Sequence, residues 1–369
     1  MPTALEALYE LDLGNAYHVG GAAEREMIRQ RRERVAKWLH DTDAIPSPPA
    51  ANVFEGFLTY SQRLVSELQR VSGALKNYAG RAEVGRPFNI YLQAPPGGGK
   101  STLAKSLCSS IGHPQLIGKL VEVNCSNLLS PADIIPVFDR IALLKENNIL
   151  PVVFFDEVDV PQWSLYQFLL MPMYDGAYMV QGHRRKFDSA IFFFAGSFEP
   201  ERKRPQFFVQ QTENDWFADE MNAFRVWLAS DNAPGKARDF HSRIDVFVRL
   251  PPLRCHFVKP FNDEPSIYWQ DMETIQIVKR LVGEQCPDVE QIDARVLEFL
   301  TGAFLDSKRE LERLIFLSKV PATEKQFLWK HLPLDAIQNG PWCSEVGKKP
   351  EKLIALKLLP AAPATVAPT

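Results

Sequence analysis

Cysteine is scarce and scattered in this chain. Cys108, Cys125, Cys255, Cys286 and Cys343 form no C-x-x-C pair, and their number is odd. That argues against a disulfide framework and predicts a reducing, cytoplasmic setting. The histidines show no metal-ligand spacing such as H-E-x-x-H. No apolar run approaches the roughly eighteen residues of a membrane span, and the first residues lack the basic-then-apolar pattern of a secretory leader. The sequence therefore predicts a soluble protein with no membrane partner. Charge is nearly balanced, with 42 Lys and Arg against 45 Asp and Glu, a net charge of −3. No overall field draws the chain to nucleic acid or to an anionic surface. There is no internal repeat. What is present is an ordinary globular composition, 46% hydrophobic and 24% charged over 369 residues. That is enough for two domains with an arm or tail.

Two motifs carry chemistry. Residues 94–102 read A-P-P-G-G-G-K-S-T directly after the apolar run Phe88–Gln93. A glycine-rich turn between a strand and a helix lets successive backbone N–H groups point at phosphate oxygens. Pro96, Gly97, Gly98, Gly99, Lys100, Ser101 and Thr102 are the candidate nucleotide-binding residues. In this pattern Lys100 reaches the β- and γ-phosphates, and Ser101 places its hydroxyl on Mg²⁺. Ala94 stands where a first glycine is usual, which its backbone accommodates if φ stays negative. The second motif is Pro151–Glu157, an apolar run ending in two carboxylates. Such a run suits a strand buried on both faces. Asp156 is placed to support Mg²⁺, and Glu157 to polarise an attacking water. A core strand with a solvated acidic turn is the alternative for this motif alone; the loop upstream weighs against it.

The rest of the chain falls into four segments. Residues 1–50 read as a helical arm, basic from Ala22 to His40, closed by the stiff Pro46–Pro49 linker. Residues 51–252 begin with a helix over 52–79. They then alternate strands (88–93, 119–124, 151–156, 189–195, 244–249) with helices (100–110, 131–146, 161–172, 215–229), the order of a parallel α/β sheet. Residues 253–320 read as helices only, over 267–283 and 292–319. Residues 321–369 form an extension whose last stretch is low in packing residues. Between the acidic strand and the strand at 189–195, Tyr178 and Val180 alternate before Gly182. Four basic residues follow, His183, Arg184, Arg185 and Lys186. This predicts a β-hairpin with a basic tip.

In motifs and in their order, residues 52–320 resemble the AAA+ ATPase family. The resemblance implies an α/β fold: a P-loop NTPase parallel sheet flanked by helices, then a smaller all-α lid domain, with the helical N-terminal arm before them. It implies ATP and Mg²⁺ as ligands, with hydrolysis at subunit interfaces of a homo-oligomeric ring, a hexamer. Ser197 then takes the place of the polar residue that orients water, where the family usually has Asn or Thr. Arg243, in Ser242-Arg243-Ile244-Asp245, resembles the arginine that reaches a neighbouring subunit; pairing with Asp245 or Asp239 is the alternative. Arg309 resembles the lid arginine that senses nucleotide, with Lys308 and Arg313 as competitors. The hairpin resembles one that several clades insert before this strand. Through Arg184, Arg185 and Lys186 it would suit an acidic partner or a nucleic-acid backbone; a solvated turn is the alternative. Three uses stay open: a motor that remodels or regulates a protein partner, a nucleic-acid motor or loader, and a switch that binds ATP without cycling.

Overall fold

The computed structural model of the chain describes residues 57–81, 85–112, 120–160, 165–197, 208–209, 213–230, 233, 235–251, 256–257, 269–300, 308–333, 351 and 353–355. The arm expected over 1–50 and the low-complexity tail lie outside these residues.

Helix α1 (Gln62–Ala79) starts where the Ser61 hydroxyl accepts a 3.0 Å bond from the Leu64 N–H, satisfying one of the donors a helix start leaves open. Leu64, Leu68, Val71 and Leu75 recur at helical spacing, and all are buried. There follow β1 (Phe88–Gln93), α2 (Lys100–Ile111), β2 (Val121–Asn124), α3 (Ile135–Glu146), β3 (Val152–Asp156) and α4 (Leu165–Asp175). Next come a hairpin of β4 (Ala177–Val180) and β5 (His183–Lys186), then β6 (Ile191–Gly196), β7 (Phe208–Val209), α5 (Glu213–Leu228), α6 (Ala237–His241), β8 (Val246–Arg249) and β9 (His256–Phe257). All five expected strands join one sheet in the order β2-β3-β6-β1-β8. Every pairing in it is parallel.

Helices cover both faces of this sheet, which is why its strands read as unbroken apolar runs. Alternation along β6 shows the two sides. Ile191, Phe193 and Ala195 pack with Leu68 of α1 and Leu103 of α2. Phe192 and Phe194 pack with Phe138 of α3, Leu169 of α4 and Phe240 of α6. Phe194 stacks on Phe155 of β3 at 5.1 Å and meets the Phe240 ring edge-on at 5.0 Å.

The hairpin is present, and its turn is Gln181-Gly182 with φ of 49° and 83°. Two left-handed residues make a type I′ turn, whose twist matches paired strands. Gly176 sets its base: the Phe187 and Asp188 N–H groups donate to the Gly176 carbonyl at 2.8 and 2.9 Å, and a Cβ there would lie 2.1 Å from the Asp188 oxygen. The expected basic tip is not at the tip. His183 to Lys186 form the exposed second strand. Arg184 pairs with Asp175 at 3.0 Å, and Arg185 with Asp139 at 3.0 Å. Both arginines thus lie against carboxylates of the domain's own helices.

The lid contains α7 (Trp269–Gln285), β10 (Gln291–Asp293), α8 (Ala294–Leu300), α9 (Lys308–Leu317), β11 (Gln326–Phe327) and β12 (Leu353–Ala355). Val278, Val282, Val296, Leu300, Leu311, Ile315 and Phe327 form its own core. Its helices fall where expected, but it is not helices only: β10 interrupts the helical stretch, and β11 and β12, from the expected extension beyond residue 320, join it in a small sheet ordered β11-β10-β12. Strands of two or three residues are too short to show a period of two, so pattern reading passes over them. Among the described residues, no helix is long and apolar enough to cross a membrane.

The central phenylalanines carry a direct test. Phe193 is 0% exposed, and Phe193→Ala should lower unfolding stability by about 3–5 kcal/mol. A denaturant titration in which the midpoint hardly moves would contradict this packing.

Candidate nucleotide-binding site

The phosphate loop connects β1 to α2. Gly97 and Gly99 have φ of 72° and 88°, a region costly for residues with a Cβ. At Gly98 the constraint is space: a Cβ would come within 2.9 Å of the Ala94 Cβ and 3.0 Å of the Pro95 oxygen. Ala94 keeps a negative φ and buries its methyl group, so the departure from the usual glycine causes no strain. Ser101 is half-buried and Thr102 exposed, both in the first turn of α2. Pro96 is exposed on the loop itself.

Lys100 is only 8% exposed. Its Nζ donates to the Ala94 carbonyl at 2.8 Å, the Pro95 carbonyl at 3.4 Å and the Ser197 hydroxyl at 2.9 Å. Burial pushes its pKa down, while Asp156, Asp159 and Glu157 push it up and Arg309 pushes it down. These charges therefore converge on one ammonium. Asp156 ends β3 and accepts from its neighbour's N–H, Glu157, at 3.0 Å. Glu157 itself sits at φ 54°, a strain of about 1–2 kcal/mol for a residue with a Cβ. Two contacts hold the strained turn to the end of β6. The Val158 N–H donates to the Ala195 carbonyl at 3.1 Å. The Ser197 N–H donates to Asp159 Oδ2 at 3.0 Å. At Gly196, the last residue of β6, no side chain fits, since a Cβ there would fall 1.8 Å from the Tyr91 hydroxyl.

The lid closes over the same loop. Lys308 Nζ lies 3.9 Å from where a Gly99 Cβ would be and 5.4 Å from the Phe57 ring centre. It pairs with Glu273 of α7 at 3.3 Å. Glu273 also accepts from Thr59 at 3.2 Å. Arg309 is exposed on the first turn of α9. Of the three lid candidates, Lys308 lies beside the loop and Arg309 acts on Lys100 through its charge, while Arg313 stands one turn further along α9.

Arg243 is elsewhere. It precedes β8, and its carbonyl accepts from Asn89 Nδ2, near the start of β1, at 3.0 Å. From Asn89 to Ala94 the strand climbs about 16 Å at roughly 3.3 Å per residue. Arg243 therefore sits at the opposite end of the strands from Lys100. Its Nη1 donates to the Asp239 carbonyl at 2.6 Å, and its guanidinium lies 5.9 Å from the ring centre of exposed Tyr174. Neither expected carboxylate is its partner: Asp245 pairs with Arg86 at 2.7 Å and Asp239 with Lys236 at 3.1 Å.

Asp159 and Glu273 were not singled out in the sequence. The D-E-x-D spacing at 156–159 was a usable signal for Asp159. None existed for Glu273, which reaches the site only through the fold.

The residues fit a nucleoside triphosphate with a divalent cation. Inward-curling glycines, a caged ammonium and a half-buried strand-end carboxylate suit phosphate oxygens and a hard cation. Among the described residues, no three His, Cys, Asp or Glu side chains could hold a metal by themselves. Asp156 and Ser101 would therefore share the ion with phosphate.

Fold and site together define a P-loop nucleotide-binding module. Residues 90–161 match the family described as ATPase family associated with various cellular activities (AAA). That match takes in the phosphate loop and the acidic turn after β3. No curated protein matches it. Among solved structures, a mutant form of RuvB from Thermotoga maritima is 15% identical, covering 70% of this chain and 62% of its own, with a TM-score of 0.44. NtrX from Brucella abortus in complex with ADP is 13% identical, covering 86% and 61%, with a TM-score of 0.45. The chain thus spans about three fifths of the length of these structures.

At the junction of lid and sheet, Glu213 is 4% exposed and accepts from the Ser61 hydroxyl at 2.5 Å. Burial raises its pKa from 4.5 to about 7; Ser61 and Arg63 oppose this, and Glu273 and Glu67 add to it. A carboxyl group with a raised pKa takes stability away as pH climbs through that window, because the unfolded chain ionises there while the folded one keeps its proton. Glu213→Gln removes this penalty. Its stability relative to wild type should rise between pH 5 and pH 8 by on the order of 1–3 kcal/mol. Denaturation midpoints at the two pH values measure this, and a constant difference would contradict it.

Proposed function

We propose that the chain hydrolyses ATP with Mg²⁺ at the subunit interfaces of a homo-oligomeric ring and uses the cycle to remodel or regulate a protein partner. The observation that carries this reading is the separation of Arg243 from Lys100 across the height of the sheet. An arginine so placed cannot reach its own site, and a second copy can present it to the neighbouring one. Tyr174, exposed beside it, gives that end an apolar contact for the second copy.

Within one subunit, Lys100 exchanges its protein oxygens for the β- and γ-phosphate oxygens. Ser101 and Asp156 hold the cation, and Pro96 to Gly99 and Thr102 enclose the phosphates. Mg²⁺, when bound, neutralises charge developing on the transferred phosphoryl group. Glu157 takes a proton from the attacking water, and Ser197 orients that water. Arg243 from the next subunit supports the developing charge. Lys308 and Arg309 link nucleotide occupancy to the angle of the lid, which gives the stroke. A hexamer follows from the family resemblance, and a cytoplasmic setting from the scattered cysteines.

A protein partner is favoured over nucleic acid because Arg184 and Arg185 are engaged with Asp175 and Asp139. Stimulation of turnover by single- or double-stranded DNA, lost steeply with added salt, would reverse that preference.

Specific ATPase activity should rise with protein concentration. Glu157→Gln should retain ATP binding and lose turnover by at least about 100-fold, and Arg243→Ala should lose a similar amount. Mixing the two inactive variants one to one should restore about a quarter of wild-type activity, the share of randomly paired interfaces with both groups intact. An Arg243→Ala protein as active as wild type would sink the interfacial reading. ATP binding without turnover in the wild type would leave the switch.

A further inference from the structure

We propose that Asp159 is a positioning residue for the reaction assigned above: its carboxylate fixes the backbone just past β6 and so aims the Ser197 hydroxyl at Lys100 and the phosphate site. This rests on the hydrolase reading and extends it to a residue outside the phosphate loop and the Asp156-Glu157 pair.

Ser197 is the first residue beyond β6, where the sheet no longer supplies backbone partners. Its N–H donates to Asp159 Oδ2 at 3.0 Å, while its hydroxyl accepts from Lys100 at 2.9 Å. The contacts run unbroken from the Asp159 carboxylate through the Ser197 backbone to the ammonium. Serine has a single torsion between backbone and hydroxyl, so the hydroxyl goes where the backbone puts it. The longer Asn common at this place has a second torsion and would tolerate a looser strand end. Misplacement by about 1 Å is costly where a group must align a water for attack. Asp159 is itself held in place: the bond from the Val158 N–H to the Ala195 carbonyl, 3.1 Å, anchors the turn one residue before it. The acidic turn and the end of β6 are therefore pinned side by side.

The test is steady-state ATP hydrolysis by full-length D159A, D159N, S197A and D159A/S197A, with ADP affinity and thermal melting measured alongside. S197A and D159A should each lower kcat about tenfold, with ADP affinity changed less than about threefold. If Asp159 acts by placing the serine hydroxyl, the double variant should be no more than about twofold slower than S197A. D159N keeps an oxygen that can accept the Ser197 N–H, and should stay within about threefold of wild type.

Losses that multiply in the double variant would overturn the proposal, as would wild-type turnover in D159A or S197A. D159N as slow as D159A would make the charge, not the hydrogen bond, the active feature, and also overturn it. A D159A protein that melts below the assay temperature would make Asp159 a structural residue. Absence of turnover in the wild-type chain would overturn the hydrolase reading and this inference with it. An active wild type with an unaffected D159A would overturn the inference alone.

Discussion

Lys100 brings a positive charge into a place where only 8% of the residue meets solvent. A buried ammonium is tolerable only where oxygen atoms and opposite charge replace water. Much of the site follows from that requirement. The loop turns sharply enough to aim the Ala94 and Pro95 carbonyls at Nζ, and only glycines permit the turn. Ser197 supplies the remaining oxygen from a different strand. Asp156, Glu157 and Asp159 supply the countercharge from a third segment. The donors of this ammonium are the ones a triphosphate takes up when it binds, so its surroundings prefigure the ligand.

Bringing those oxygens together depends on register. In the parallel sheet Gln93 lies opposite Gly196, and Asn124 opposite Asp156. The strands therefore end at one level, and the loop, the acidic turn and Ser197 meet there. Strain at Glu157 is part of this arrangement. Its left-handed backbone turns the chain back so that Val158 and Asp159 can bond the end of β6. The apolar core on both faces supplies the rigidity that keeps such a turn in place.

Two further features lie around the site. One is the polar chain of Lys308, Glu273 and Thr59, with Ser61 and Glu213 beside it. It joins the lid to the start of α1 and to α5. Its carboxylates are buried, so movement of the lid must break or exchange hydrogen bonds that have little water to replace them. The other is Arg243, tethered through its carbonyl to Asn89 at the far end of the strands. The site thus has a lid side within its own chain and an arginine that faces away from it.

Much of this was legible in the sequence. The five sheet strands, the loop Pro96–Thr102 and the carboxylates after β3 are local patterns. Runs of buried residues, glycines before a lysine and acids ending an apolar run depend on near neighbours in the chain, so order alone reveals them. The hairpin was legible for the same reason, because Gln181-Gly182 is a local turn. The short lid strands were not, since their pairing partners are distant in sequence and each is too brief to alternate visibly. Nor was the fate of Arg184 and Arg185: only packing of the hairpin against α3 and α4 brings Asp139 and Asp175 within reach. Residue order thus settles the sheet, the phosphate loop and the chemistry of its ends. It took the folded chain to settle that Asp159 meets Ser197, that Lys308 lies beside Gly99 and pairs with Glu273, and that Arg243 faces away from Lys100. Each of those contacts joins segments whose meeting is set by strand order and helix packing, which no local pattern encodes.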